Sequence, residues 1–152
     1  MCFHKSLATW ERLASRGMQI ETSYPLCLQA SESIIHMLND CYLVSNCSQS
    51  ISDGNINLDV FSMDLRRWLE DNCKSQRRHQ ANFLPWGKIF SFRIWTIWQH
   101  RNRVVLKNQP PCQTIHREVI QRASKFLFCA QDYARFKINI KRRIRWERPS
   151  QG

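Results

Sequence analysis

WGKIFSFRIWTIWQHRNRVVL, Trp86 to Leu106, is the stretch that decides the fold class. Trp86, Phe90, Ile94, Ile97 and Val104 fall on one stripe at helical spacing, and Trp95 and Trp98 widen it, so the segment reads as the central amphipathic helix of the core. Pro85 stands before it and Pro110 and Pro111 end it. Its most apolar window, IFSFRIWTIW, is broken by Arg93 and is far shorter than the roughly 20 residues a membrane span requires. The expectation is a protein that is soluble or bound to a soluble partner.

Beyond the proline pair, Ile115, Val119, Ala123, Phe126, Ala130 and Tyr133 recur every three or four residues and predict a second long helix, antiparallel to the first. The tail FKINIKRRIRWERP alternates Ile138 and Ile140 with polar residues as a strand does, although no pairing strand follows in the chain. Upstream, Val60, Met63, Leu65, Trp68 and Leu69 predict a helix over Asp59 to Asn72, followed by the basic connector KSQRRHQAN. The run of Ser, Asn, Asp and Gly from Ser45 to Asn57 reads as a mobile loop. Ser31 to Leu43 reads as a helix capped by Ser31 or Ser33, and Leu7 to Arg16 as a short helix ended by Gly17. The expected architecture is mainly α: a small irregular zinc-knuckle-like region, then a Trp-rich helical hairpin, then a basic strand-like tail.

The composition agrees. Six Trp and eight Phe within 43% hydrophobic residues exclude wholesale disorder, and only four Gly in 152 residues argue for helices over tight hairpins. The net charge of +11 is unevenly spread: up to Asp71 there are 5 Lys/Arg against 9 Asp/Glu, and after it 18 against 3. So basic a second half favours a polyanion as partner, nucleic acid before others. Lys137, Lys141, Arg142, Arg143, Arg145 and Arg148 form the densest cluster and are the candidate phosphate contacts, weighed against a merely solvated tail. Seven cysteines, an odd number, with no cationic apolar leader at Met1, fit a reducing intracellular compartment better than a closed disulfide framework.

The second informative stretch is YPLCLQASESIIHMLNDC, Tyr24 to Cys41. Cys27, His36 and Cys41 offer one nitrogen and two sulfur donors at a spacing that could converge, but a structural zinc wants four. Tyr24 stands where a Cys-x-x-Cys pair would place its first thiol, and a phenol gives up its proton far less readily than a thiol does. Water, or Cys47 from the following segment, could complete the shell. By themselves the residues fit two small buried cysteines and an ordinary polar histidine better, since free cysteine is commonly buried. Trp95 and Trp98 admit base stacking but fit core packing better, and Arg101 and Asn102 read as packing or capping the helix surface, with nucleic-acid contact left open. His79, His100 and His116 have no nucleophile at a suggestive spacing.

YPLC, LQASESII and HMLNDC in succession resemble the zinc-binding region of reverse transcriptases from plant non-LTR (LINE-type) retrotransposons, whose hallmark is Cys-Pro-x-Cys, eight residues, then His-x-x-x-x-Cys. TWERLASRGM (Thr9 to Met18) is similar to that family's lead-in, WTIWQHRNRVVLKN to its Trp-x-x-Trp-x-x-Arg-Asn segment, and IRWERPSQG to the linker into a type-1 ribonuclease H domain. The resemblance covers nearly the whole chain and implies zinc ligation by Cys27, His36 and Cys41, with Tyr24 in the fourth place.

It also implies a division into a zinc-binding region at 1–48, a loop at 49–58, a helical connector at 59–136 and a basic linker at 137–152 toward a ribonuclease H domain. A nuclear location is implied if the chain behaves as its parent element would. The family's polymerase needs paired aspartates and its nuclease a carboxylate cluster holding two metal ions. No Asp-Asp pair occurs here, and after Asn72 only Glu118, Asp132 and Glu147 are acidic, so the expectation is a non-catalytic fragment whose residual activity is nucleic-acid binding. A protein-interaction module of Trp-rich helices and an inert relic of the element are the alternatives.

Overall fold

The computed structural model describes residues 7–52, 64–112 and 114–146, with the backbone alone for Tyr133 and 135–146. The helices are α1 (Trp10–Ala14), α2 (Tyr42–Ile51), α3 (Leu65–Lys74), α4 (Trp86–Lys107) and α5 (Ile115–Trp146), with one π turn (His36–Asp40) before α2. The architecture is mainly helical as expected; among the described residues the only β pairings are two isolated bridges, Ser23 with Ser31 and Arg78 with Pro85.

α4 is the central element. It buries Trp86, Ile89, Phe90, Ile94 and Ile97 along one face, and ends at Asn108, whose left-handed conformation (φ 49°) caps the helix before the prolines. α5 returns antiparallel to it: Glu118 pairs with Arg103, Arg122 bonds Gln99, and Phe126 meets Phe92. α5 presses Ile115, Val119 and Ala123 into the core. Of the two tryptophans expected to widen the stripe, Trp98 packs against the core while Trp95 remains 38% exposed.

Two local expectations are overturned. The tail read as a strand is the last part of α5, helical to Trp146. A single strand with no partner would leave its N–H and C=O groups unpaired, whereas the helix pairs them within itself. The start of the run read as a mobile loop is α2, and the rest, 53–57, lies outside the described residues. Val44, Cys47, Ser48 and Ile51 recur at helical spacing and are all buried. The Ser48 and Ser50 hydroxyls donate to the carbonyls of Val44 and Asn46, so residues that weaken helices in isolation have their polar groups satisfied.

α3 begins at Asp64, whose carboxylate accepts from the Arg66 N–H at 3.1 Å, so residues 59–63 of the expected helix lie outside the described residues. Trp68 is buried edge-on against Phe90, with ring centroids 5.0 Å apart. The connector then folds across the start of α4. Its Arg77 and Ser75 carbonyls accept the Trp86 and Gly87 N–H groups, donors that a helix start otherwise leaves open. Gly87 is required by this approach, since a Cβ there would meet the Cys73 carbonyl oxygen at 2.3 Å and that of Ser75 at 2.9 Å. Gly87→Ala is therefore expected to cost about 1–3 kcal/mol of stability through overpacking against backbone. Urea denaturation checks this, and an unchanged midpoint would contradict the packing.

Candidate metal centre

The residues from Thr22 to Cys41 are folded by short-range bonds. Tyr24 N–H donates to the Ala30 carbonyl at 2.8 Å and Glu32 N–H to that of Thr22 at 2.7 Å, closing a loop. At its tip the Cys27 and Leu28 N–H groups both donate to the Tyr24 carbonyl, and Leu28 takes a left-handed conformation (φ 55°) to complete the turn. The loop presents Tyr24 and Cys27 from one tight bend.

The other two donors come from the π turn. Ser33 caps it by accepting the His36 N–H at 3.0 Å, and the Cys41 N–H donates to the His36 carbonyl at 2.9 Å, an i to i+5 bond. In α-helical register residues five apart would point about 140° away from each other around the axis. The wider turn, followed by the extended Cys41 (φ −62°, ψ 131°), removes that divergence. The ligand atoms of Cys27, His36 and Cys41 accordingly lie within 4.8 Å of one another, with Cys27 Sγ 3.2 Å from His36 Nε2.

The electrostatics suit a soft cation in part. His36 is held below its ordinary pKa by burial, against the raising influence of Asp40 and Glu32, which favours the neutral imidazole that metals bind. Burial pushes the Cys41 thiol up to about 11, and nearby Cys27 adds to this, while the Leu43 and Val44 N–H groups at the start of α2 oppose it.

Tyr24 packs beside this group. It is fully buried, its ring stands edge-on to His36 at 5.4 Å and 89°, and its hydroxyl has no hydrogen-bond partner among the described residues. Burial, then Cys41 and Glu32, drive its pKa far above the ordinary phenol value, against a lowering influence from Arg101. One nitrogen and two sulfurs could hold a metal ion, with a neutral phenol packed beside them where a structural zinc would want a fourth donor. Cys47 is not in the group: it lies on α2, buried, with Arg93 as its charged neighbour.

Three residues not singled out as site residues hold this loop on α4. Glu32, with no exposed surface, accepts from Arg101 Nε at 2.6 Å, from Arg101 Nη2 at 2.7 Å and from the Trp10 N–H at 2.7 Å. Arg101 sits within cation–π distance of Trp10 (4.9 Å) and Trp98 (5.4 Å). Arg101, expected on the helix surface, is buried; its Nε and Nη2 serve Glu32 and its Nη1 donates to Asn102 Oδ1 at 3.2 Å. Arg93, also fully buried, donates to the Leu38 carbonyl in the π turn at 2.7 Å and to the Ser48 hydroxyl at 2.9 Å. Burial among Trp68 and Phe90 lowers its pKa to about 10. Glu32 is 69 positions from Arg101 and Arg93 is 55 from Leu38, so no local pattern could have signalled either contact.

Of the candidate phosphate contacts, Lys137, Lys141, Arg142, Arg143 and Arg145 belong to the last turns of α5, and Arg148 lies outside the described residues. His100 accepts the Cys112 N–H at 3.1 Å and so secures the turn between α4 and α5. Among the described residues no helix is long and apolar enough to cross a membrane.

No protein-family model matches the chain, and no solved structure matches it. Over 110 residues, 72% of its length, the chain is 24% identical to a protein of Arabidopsis thaliana named "Putative ribonuclease H protein", and the match spans 17% of that protein. The chain is thus similar to one segment of a plant protein that is named for ribonuclease H and is several times longer.

Proposed function

We propose that this chain is a retrotransposon-derived, non-catalytic segment, equivalent to the zinc-binding and connector region between the polymerase and ribonuclease H of a LINE-type reverse transcriptase. In this reading it contributes nucleic-acid binding, and its zinc site is weakened by Tyr24. The observation that carries the reading is the convergence of Cys27, His36 and Cys41 within 4.8 Å, achieved by a π turn. Buried cysteines and a histidine without a shared task have no need of that backbone. The similarity to a plant protein named for ribonuclease H supports the same origin, and a nuclear location goes with it.

Nucleic-acid binding rests on the charge of the second half and on the basic end of α5. If about four to six cations reach phosphates of a single strand, log affinity falls against log salt with a slope near −3 to −4, taking about −0.7 per phosphate. Reversing the charges of Arg142, Arg143 and Arg145 should flatten that slope more than the same change at Arg77, Arg78 and Lys88. Fluorescence anisotropy with a labelled oligonucleotide across a salt series reads this directly. No affinity at low salt would reject nucleic-acid binding. The protein-interaction reading would then gain from Trp95, Phe126 and Phe128, which are 38%, 47% and 67% exposed on the hairpin.

A further inference from the structure

Cys27 and Cys41 bring two thiols close together. The two sulfurs lie within 4.8 Å of each other. Their accessibility differs: Cys27 is partly exposed at the loop tip, while Cys41 has no exposed surface. Neither is carried in the middle of an α-helix. Cys27 stands in the bend beside Leu28, and Cys41 at the extended junction between the π turn and α2. A bond requires the sulfurs to close from that separation to roughly 2.05 Å. The other described cysteines lie outside this group: Cys47 is buried by Arg93, and Cys73, Cys112 and Cys129 are exposed.

We propose that Cys27 and Cys41 form a reversible dithiol–disulfide pair, in which a small-molecule disulfide oxidises accessible Cys27 first and buried Cys41 then resolves it. The Cys27 sulfur attacks one sulfur of the oxidant, forming a mixed disulfide and expelling one small thiolate. The Cys41 sulfur next attacks the Cys27 sulfur, forming the Cys27–Cys41 bond and expelling the second. The two cysteine protons end on the two released thiols. The protein pair loses two electrons and the oxidant gains them.

The pair requires no metal, so it stands apart from the zinc reading, although an ion held by both sulfurs would block it. The test uses the full chain, freed of metal by chelator, exposed to oxidised glutathione and then alkylated and peptide-mapped under non-reducing conditions. Loss of Cys27 and Cys41 together from the alkylatable thiols, with one peptide linking them and reversal by dithiothreitol, is expected. In Cys41→Ser, Cys27 should stop as a glutathione adduct. In Cys27→Ser, Cys41 should stay alkylatable after denaturation. Should either variant fail to fold, the map of the unaltered chain still decides. Links scattered among Cys47, Cys73, Cys112 and Cys129, or oxidation of those cysteines while Cys27 and Cys41 stay reduced, would overturn the proposal. Linkage at the same rate with and without added zinc would uphold it while counting against zinc at this site, so the two readings fail separately.

Discussion

Tyr24→Cys should raise zinc affinity at the Cys27, His36 and Cys41 group by at least about 100-fold, equivalent to about 2.7 kcal/mol. A complete four-ligand structural site contributes roughly 10–16 kcal/mol in finger peptides, so a missing thiolate forfeits a substantial share. The buried phenol has no hydrogen-bond partner among the described residues and is held neutral by burial, Cys41 and Glu32. A thiol in its place meets a cation on a turn whose Cys27 and Leu28 N–H groups already define the bend. The substitution has an opposing cost, because removing a fully buried ring leaves a cavity, and the metal-free variant should lose roughly 3–5 kcal/mol, as large-to-small aromatic replacements do.

Stability and metal should consequently become linked. Zinc at about 100 times the dissociation constant would return about 2.7 kcal/mol to the variant, or roughly 5–10 °C in melting temperature for a chain of this size. Tyr24→Phe is the matched control: it removes the orphaned hydroxyl, keeps the ring and should leave metal affinity unchanged. Chelator competition and the visible spectrum of the cobalt-substituted variant measure the outcome. Equal, chelator-resistant zinc binding by the unaltered chain and by Tyr24→Cys would show that another ligand closes the shell.

The second large effect is expected at the buried ion pair. Glu32→Gln and Arg101→Met should each cost roughly 3–5 kcal/mol, because each leaves a charge or its donors buried without the partner. Glu32 is fully buried and serves two donors, Arg101 and the Trp10 N–H. Arg101 in turn lies by two indoles, so its loss removes packing as well as charge. The double variant should be much less destabilised than the sum of the singles, since removing both members removes the uncompensated charge. Urea midpoints for the four proteins of the cycle give the coupling. Single losses under about 1 kcal/mol, the range of an exposed pair, would mean that water reaches this contact. The pair joins α1, the ligand loop and α4, so these variants should also loosen the loop that carries Cys27.

The sequence by itself determined the helical hairpin and picked out Cys27, His36 and Cys41 as residues that the fold brings together. Trp86, Phe90, Ile94 and Ile97 carry their helical period in plain view, Pro85 and the Pro110–Pro111 pair mark the boundaries, and the apolar steps from Ile115 repeat the pattern. Gly17, with φ 89°, ends the α1 region where the sequence placed the stop. Short-range periodicity is visible because neighbouring turns of one helix share a face.

What only the tertiary structure decided depends on partners remote in the chain or on backbone geometry that no residue type encodes. The start of the Ser- and Asn-rich segment, to Ile51, is helical because Val44, Cys47 and Ile51 find a core to face and Ser48 finds Arg93, 45 positions away. The π turn brings His36 and Cys41 together, yet an i to i+5 bond leaves no compositional mark. The buried setting that keeps Tyr24 neutral, and the contact between Glu32 and Arg101, exist only once the loop docks on α4, because desolvation and ion pairing belong to the packed environment and not to any residue alone.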